Sequence, residues 1–187
     1  MLQIYQIESL DQVKAIADPL RIQILWETFD EAKTGKMIGD ILNMPASKIH
    51  YHLRELEKCG LVVVERTEEK NGIVQKFYRP IARRLYVKSD LISPEVTGDF
   101  HSAVLESYLL PLKKVSEHLE TIDVSVMKGS TMAEADFRKL ILTEEQTEKL
   151  KTKLDELQEL IDELEHNQPE EGLEYVFQYE VFPYKKR

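Results

Sequence analysis

The sequence predicts an α+β fold, mainly helical, with residues 1–88 forming one domain and 89–187 a second region. Three observations carry this. Helix-spaced apolar stripes fill residues 10–59; two β-branched runs flank Asn71-Gly72; and a capped, leucine-spaced segment over 143–166 lies between two alternating ones. The first domain therefore reads as four helices and a hairpin. The second reads as helices for dimerisation with a small antiparallel sheet.

Ser9 suits the N-cap of a helix over 10–17, with Leu10, Val13 and Ala17 on one face. Asp18 caps the next, with Pro19 in its first turn, and that helix runs to about Phe29. Thr34-Gly35 marks a break, Lys36 to Leu42 a short helix, and Asn43-Met44-Pro45 a turn. A longer helix covers Ala46 to Cys59 and stops at Gly60. Strands over Leu61–Thr67 and Ile73–Arg79 then form a hairpin about Asn71-Gly72, closed by Pro80.

Ile81–Ile92 reads as a connector. Ser93-Pro94-Glu95 opens a helix to about Leu119, in which Pro111 should introduce a kink. Asp123–Lys128 and Asp136–Leu142 read as weak strands. Thr143-Glu144-Glu145-Gln146 is a capping box for a helix to His166, with Leu150, Leu154, Leu157, Ile161 and Leu164 spaced 4-3-4-3. That seam falls short of the three or four heptads of a secure coiled coil, so packing on flanking strands is favoured, and whether it lies within or between chains stays open. Leu173, Tyr175, Phe177, Tyr179 and Val181 alternate as in a half-buried strand.

Charge is unevenly divided. The chain carries −9 overall, but residues 1–90 hold 14 basic and 13 acidic side chains, and residues 44–88 hold 10 and 5. Phosphate affinity depends on where the cations lie, so a basic segment on an acidic chain points to a local polyanion footprint. The single cysteine, Cys59, excludes an intrachain disulfide. No apolar run reaches the ~18 residues of a membrane span, and the first residues lack the pattern of a secretory signal, so a cytoplasmic chain is expected.

The helix over 46–59 divides its labour. Ile49, Leu53 and Leu56 form a core stripe, while Ser47, Lys48, His50, Tyr51, Arg54 and Lys58 populate the other side. A helix that reads the major groove needs one anchored face and one long, polar face. A short helix, a turn, this helix and a hairpin together make a helix-turn-helix with a wing. The wing adds Arg66, Lys70, Lys76 and Arg79 as candidate phosphate contacts, although Glu68 and Glu69 at its tip oppose close approach.

Ala17-Asp18-Pro19-Leu20-Arg21-Ile22-Gln23-Ile24-Leu25 resembles the A-D-P-x-R-x-x-I-L opening of ArsR-type winged-helix repressors. Leu42 to Leu56 is similar to that family's L-x-x-S-x-x-x-V-S-x-H-L-x-x-L stretch, and Cys59-Gly60-Leu61-Val62 to its strand entry. The resemblance covers residues ~9–80. It implies a homodimeric, DNA-binding transcription regulator, expected to be a repressor, with Ser47, Lys48, His50, Tyr51 and Arg54 in the groove. The cysteine pair of metal-sensing members is missing from Lys36–Leu42. Asp99-Phe100-His101 begins another family ligand pattern, but Leu112 and Val115 stand where it should continue. No metal and no cofactor are expected.

Dimerisation is assigned to Val96, Phe100, Val104, Tyr108, Leu112, Val115 and Leu119, at three-to-four spacing on one helix. His101, His118 and His166 form no ligand cluster, and no nucleophile–base pair suggests an enzyme. A small-molecule effector is admitted as a further partner, its pocket expected between the Tyr175–Tyr179 stripe and the long helices. The competing reading is a winged-helix module that docks a protein and never touches DNA.

Overall fold

The computed structural model describes residues 1–87, 91, 97–127 and 134–184. It is α+β and forms two compact units, Met1–Ser116 with Glu180–Arg187, and Glu117–Tyr179.

The first unit begins with β1 (Leu2–Ile7), α1 (Leu10–Ile16) and α2 (Pro19–Glu27). Both helix starts follow local chemistry. The Ser9 side chain accepts from the Gln12 N–H, and Asp18 accepts from Leu20 and Arg21, satisfying donors that a first turn leaves open. Next come α3 (Gly35–Ile41), α4 (Ala46–Lys58), β2 (Val62–Lys70), β3 (Ile73–Pro80) and β4 (Ala82–Val87). Thr34, read as part of a break, caps α3 by accepting from Met37.

The turn between α3 and α4 is tight. Met44 N–H donates to the Gly39 carbonyl at 2.8 Å, and a Cβ on Gly39 would meet the Met44 carbonyl oxygen. In the hairpin, Asn71 and Gly72 both take positive φ, 54° and 72°, the pair of left-handed residues that a two-residue hairpin turn requires. β2 and β3 pair antiparallel, with a bulge between Val64 and Arg66.

Ile7, Val13, Ile24, Leu25, Ile38, Ile49, Leu53, Leu56, Leu61 and Val62 form one continuous core. Gln12 ties its polar margin together, donating to the Tyr5 hydroxyl and to the Cys59 carbonyl, both at 3.0 Å.

Three expectations are corrected. Residues 81–92 are not simply a connector: β4 pairs in parallel with β1, from Leu2↔Ala82 to Ile7↔Val87. Neither strand was predicted, because each is short and its partner lies some eighty residues away in sequence. Second, Val124–Met127 is a single helical turn, α6, where a strand was expected. Third, no strand forms over 134–143 or 167–184, so among the described residues the C-terminal region has no sheet and the antiparallel pair lies wholly in the N-terminal unit. Alternation marks a segment able to join a ladder, but a strand exists only where a partner takes its N–H and C=O groups.

α5 (Thr97–Thr121) runs through Pro111 without interruption. Ser93, Pro94 and Val96 lie outside the described residues. In the second unit, α7 (Glu144–His166) carries both bonds of its capping box. No described residue of α7 is buried, so its leucine seam is not covered by any sheet.

Candidate nucleic-acid interface

α4 is held in one rotation about its axis. Ile49, Leu53 and Leu56 are each 0% exposed, three points at helical spacing that leave no freedom to roll. Ser47, Lys48, His50, Tyr51, Arg54 and Lys58 are consequently all exposed, with Tyr51 at 56%. Every α4 residue assigned from sequence to the groove thus lies on one outward face. A Cβ on Gly35 would collide with the His50 ring, so the imidazole lies over the first turn of α3.

Among the described residues Lys48, Arg54 and Lys58 make no ion pair, and neither does Lys70 at the hairpin tip. The other hairpin cations are engaged. Arg66 pairs with Glu68 at 3.1 Å and Glu65 at 3.6 Å, and stacks over the Phe77 ring at 3.8 Å. Lys76 reaches Glu57 of α4 at 3.4 Å. Arg79 pairs with Glu65 at 2.8 Å and donates to the carbonyls of Phe29 and Asp30 at 3.2 and 3.3 Å. Arg79 therefore fastens the hairpin to the loop after α2. An exposed pair such as Lys76–Glu57 contributes only about 0–1 kcal/mol and exchanges readily for a phosphate, whereas Arg79 would have to leave several partners at once. The cations available to a polyanion centre on α4 more than on the hairpin.

His52 lies on the inner side of α4, with Nδ1 3.5 Å from the Asp18 carboxylate and no hydrogen bond. Burial holds its pKa below the ordinary imidazole range; Asp18 opposes that shift, and Arg21 and Lys48 add to it. The folded chain thus resists a proton that the unfolded chain accepts near pH ~6.5. Stability associated with His52 is full above that pH and is lost as pH falls through the folded value. The urea midpoint is expected to drop between pH 7.5 and 5.5, and the drop should shrink in His52→Gln. An equal drop in the variant would assign the effect to carboxylates alone.

On α5 the assigned residues divide. Phe100, Val104 and Tyr108 face inward and line a cavity of about 390 Å³ against α2 and β4. Val115 is half-buried, and Leu112 and Leu119 are exposed. Val96 lies outside the described residues. Leu105 and Leu109, not assigned from sequence, are exposed on the same outer side as Leu112. The cavity was also missed, and Tyr175, Phe177 and Tyr179 are not in its lining. Its sequence signal was the cluster of Trp26 and Phe29 one turn apart, followed much later by alternating Arg83, Leu85 and Val87.

Among the described residues no group of His, Cys, Asp and Glu could hold a metal, and no helix is long and apolar enough to cross a membrane. No family model matches the chain, and a search of curated proteins finds no match.

Proposed function

We propose that this chain is a sequence-specific duplex-DNA-binding transcription regulator acting as a homodimer, with α3, α4 and the β2–β3 hairpin as a winged helix-turn-helix of ArsR type. The observation that carries the reading is the outer face of α4: Lys48, Arg54 and Lys58 without carboxylate partners among the described residues, interleaved with Ser47, His50 and Tyr51, on a helix locked by its buried stripe. Cations meet phosphates and guanine edges, while planar and short donors suit the groove floor. Repression is the expected sense of regulation. Two such faces in a dimer would meet successive major grooves roughly 34 Å apart on a near-palindrome.

Binding of a generic duplex across a salt series tests the electrostatic part. With Lys48, Arg54, Lys58 and Lys70 as the available cations, the log–log slope should be about −3 to −4 per protomer. Lys58→Ala should make it shallower by about one, and Arg79→Ala should leave it unchanged while lowering stability. Steep dependence on Arg79 with none on Lys58 would move the interface to the hairpin.

One observation favours the protein-docking alternative. Ile73 and Val74, beside the hairpin turn, are 67% and 63% exposed, next to Glu68 and Glu69. An apolar, acidic tip suits a protein surface better than a phosphate backbone. Absence of duplex retention at low salt would select that reading.

A further inference from the structure

We propose that α7 pairs antiparallel with α7 of a second copy inside the homodimer, with the twofold axis of the pair at Leu157. The inference rests on the homodimer part of the reading above and is independent of DNA binding.

The two sides of the α7 seam differ. Leu154 and Ile161 are half-buried, and Gln158 between them donates to the Tyr179 hydroxyl, so that side already has a neighbour within its own chain. Leu157, Leu160 and Leu164 are instead 36%, 50% and 60% exposed. They stand three and four residues apart, one stripe of the helix surface, and Leu150 continues it seven residues before Leu157. The polar break in this stripe, Lys153, is bound to both oxygens of Glu156 at 2.9 and 2.6 Å.

Charge decides what covers the stripe. Lys149, Glu156 and Glu163 recur every seven residues along one border of it, with the cation toward the start of α7 and a carboxylate toward its end. Among the described residues neither Lys149 nor Glu163 makes an ion pair. The helix is therefore complementary to its own reverse. In an antiparallel pair centred on Leu157, Leu150 of one copy meets Leu164 of the other, and Leu157 meets its equivalent. Lys149 then comes beside Glu163 at both ends of the contact. A parallel pair in register would set Lys149 on Lys149 and Glu163 on Glu163, like charges at the rim of an apolar contact, and would align the two helix dipoles. Glu156 meets its equivalent in either direction, but each already carries Lys153.

Four leucines a copy make a contact too small to hold two free chains together against the cost of association. Once a dimer exists, the same contact closes within one particle at high effective concentration. The α7 pair thus reinforces an association made elsewhere, and its few turns suffice for that.

Disulfide trapping in the full-length protein tests both the partner and the direction. With Cys59→Ser removing the only native thiol, Leu157→Cys should cross-link to itself under diamide. Its rate should exceed that of Thr152→Cys, on the opposite side of α7, about tenfold or more. Leu150→Cys alone should stay at the Thr152→Cys rate. Fourteen residues of helix, about 21 Å, separate it from its equivalent in the antiparallel pair, and a disulfide spans at most roughly 7 Å between Cα atoms. Coexpressed Leu150→Cys and Leu164→Cys chains should cross-link to one another. Thermal melts check that each variant is folded. Without oxidant, Leu157→Glu with Leu164→Glu should raise the dimer dissociation constant about tenfold or more.

Leu150→Cys cross-linking to itself as fast as Leu157→Cys means a parallel pair and overturns the proposed direction. Leu157→Cys at the Thr152→Cys rate, in a protein that sediments as a dimer, overturns the pairing and leaves the homodimer standing. An unchanged dissociation constant in a folded Leu157→Glu, Leu164→Glu variant does the same. Wild-type protein that sediments as a monomer at micromolar concentration overturns the homodimer and the pairing together.

Discussion

Alanine at Arg54 or Tyr51 is expected to cost roughly 1–3 kcal/mol on a selected operator, about a five- to 150-fold loss, and much less on random duplex. The rotation of α4 is the reason. With Ile49, Leu53 and Leu56 fully buried, Tyr51 and Arg54 must point away from the core, and neither can turn inward to find another partner. Arg54 makes no ion pair among the described residues, so its donors are not already spent within the domain. A guanidinium facing the groove can take two guanine acceptors at once, and removing it leaves that base unread. Equilibrium binding to operator and scrambled duplex at one salt concentration checks this. Equal losses on both would mean that the two side chains only hold phosphates. Leu53→Ala distinguishes reading from support: it should lower stability by about 2–5 kcal/mol and weaken binding to every sequence.

Leu109→Glu combined with Leu112→Glu is expected to yield a folded monomer whose operator affinity falls about a hundredfold or more, because two linked half-sites bind far more tightly than one. Both leucines lie on the open side of α5, 57% and 49% exposed, so glutamate is tolerated in a single protomer. In a seam between two copies the same substitutions bring four carboxylates together out of water, each at a cost of several kcal/mol. Phe100→Glu is not an equivalent probe: Phe100 is half-buried against the core of its own protomer, and a charge there would loosen α5 from it. Sedimentation at micromolar concentration reads the outcome. A double variant that remains dimeric would transfer the interface to the leucine seam of α7.

Many of the helix starts and the hairpin were legible because the signals are local. Ser9, Asp18 and the Thr143–Gln146 box each satisfy backbone donors within three residues, so identity and spacing suffice. Asn71-Gly72 supplies its own positive φ values, and the α4 stripe recurs at the helical period. The outward set on α4 followed from the same periodicity without knowledge of any partner. Charge was less transparent. Arg66, Lys76 and Arg79 counted as available cations in the sequence, but folding brings Glu65, Glu68, Glu57 and two loop carbonyls beside them.

What the sequence determined by itself is therefore the identity and order of the hairpin and of every helix except α6, and which face of α4 looks outward. Each of these depends on contacts within a few residues or on one helical repeat. The tertiary structure alone decided the parallel pairing of β1 with β4, the failure of 136–142 and 173–181 to form strands, and the side of α5 that turns inward. In α5, leucines, valine and aromatics occupy more than one face, so periodicity selects no single stripe. A strand likewise has no hydrogen-bond partner of its own. In both cases the free energy comes from surfaces far away in the chain, and only their arrival in space chooses among segments that are equally apolar.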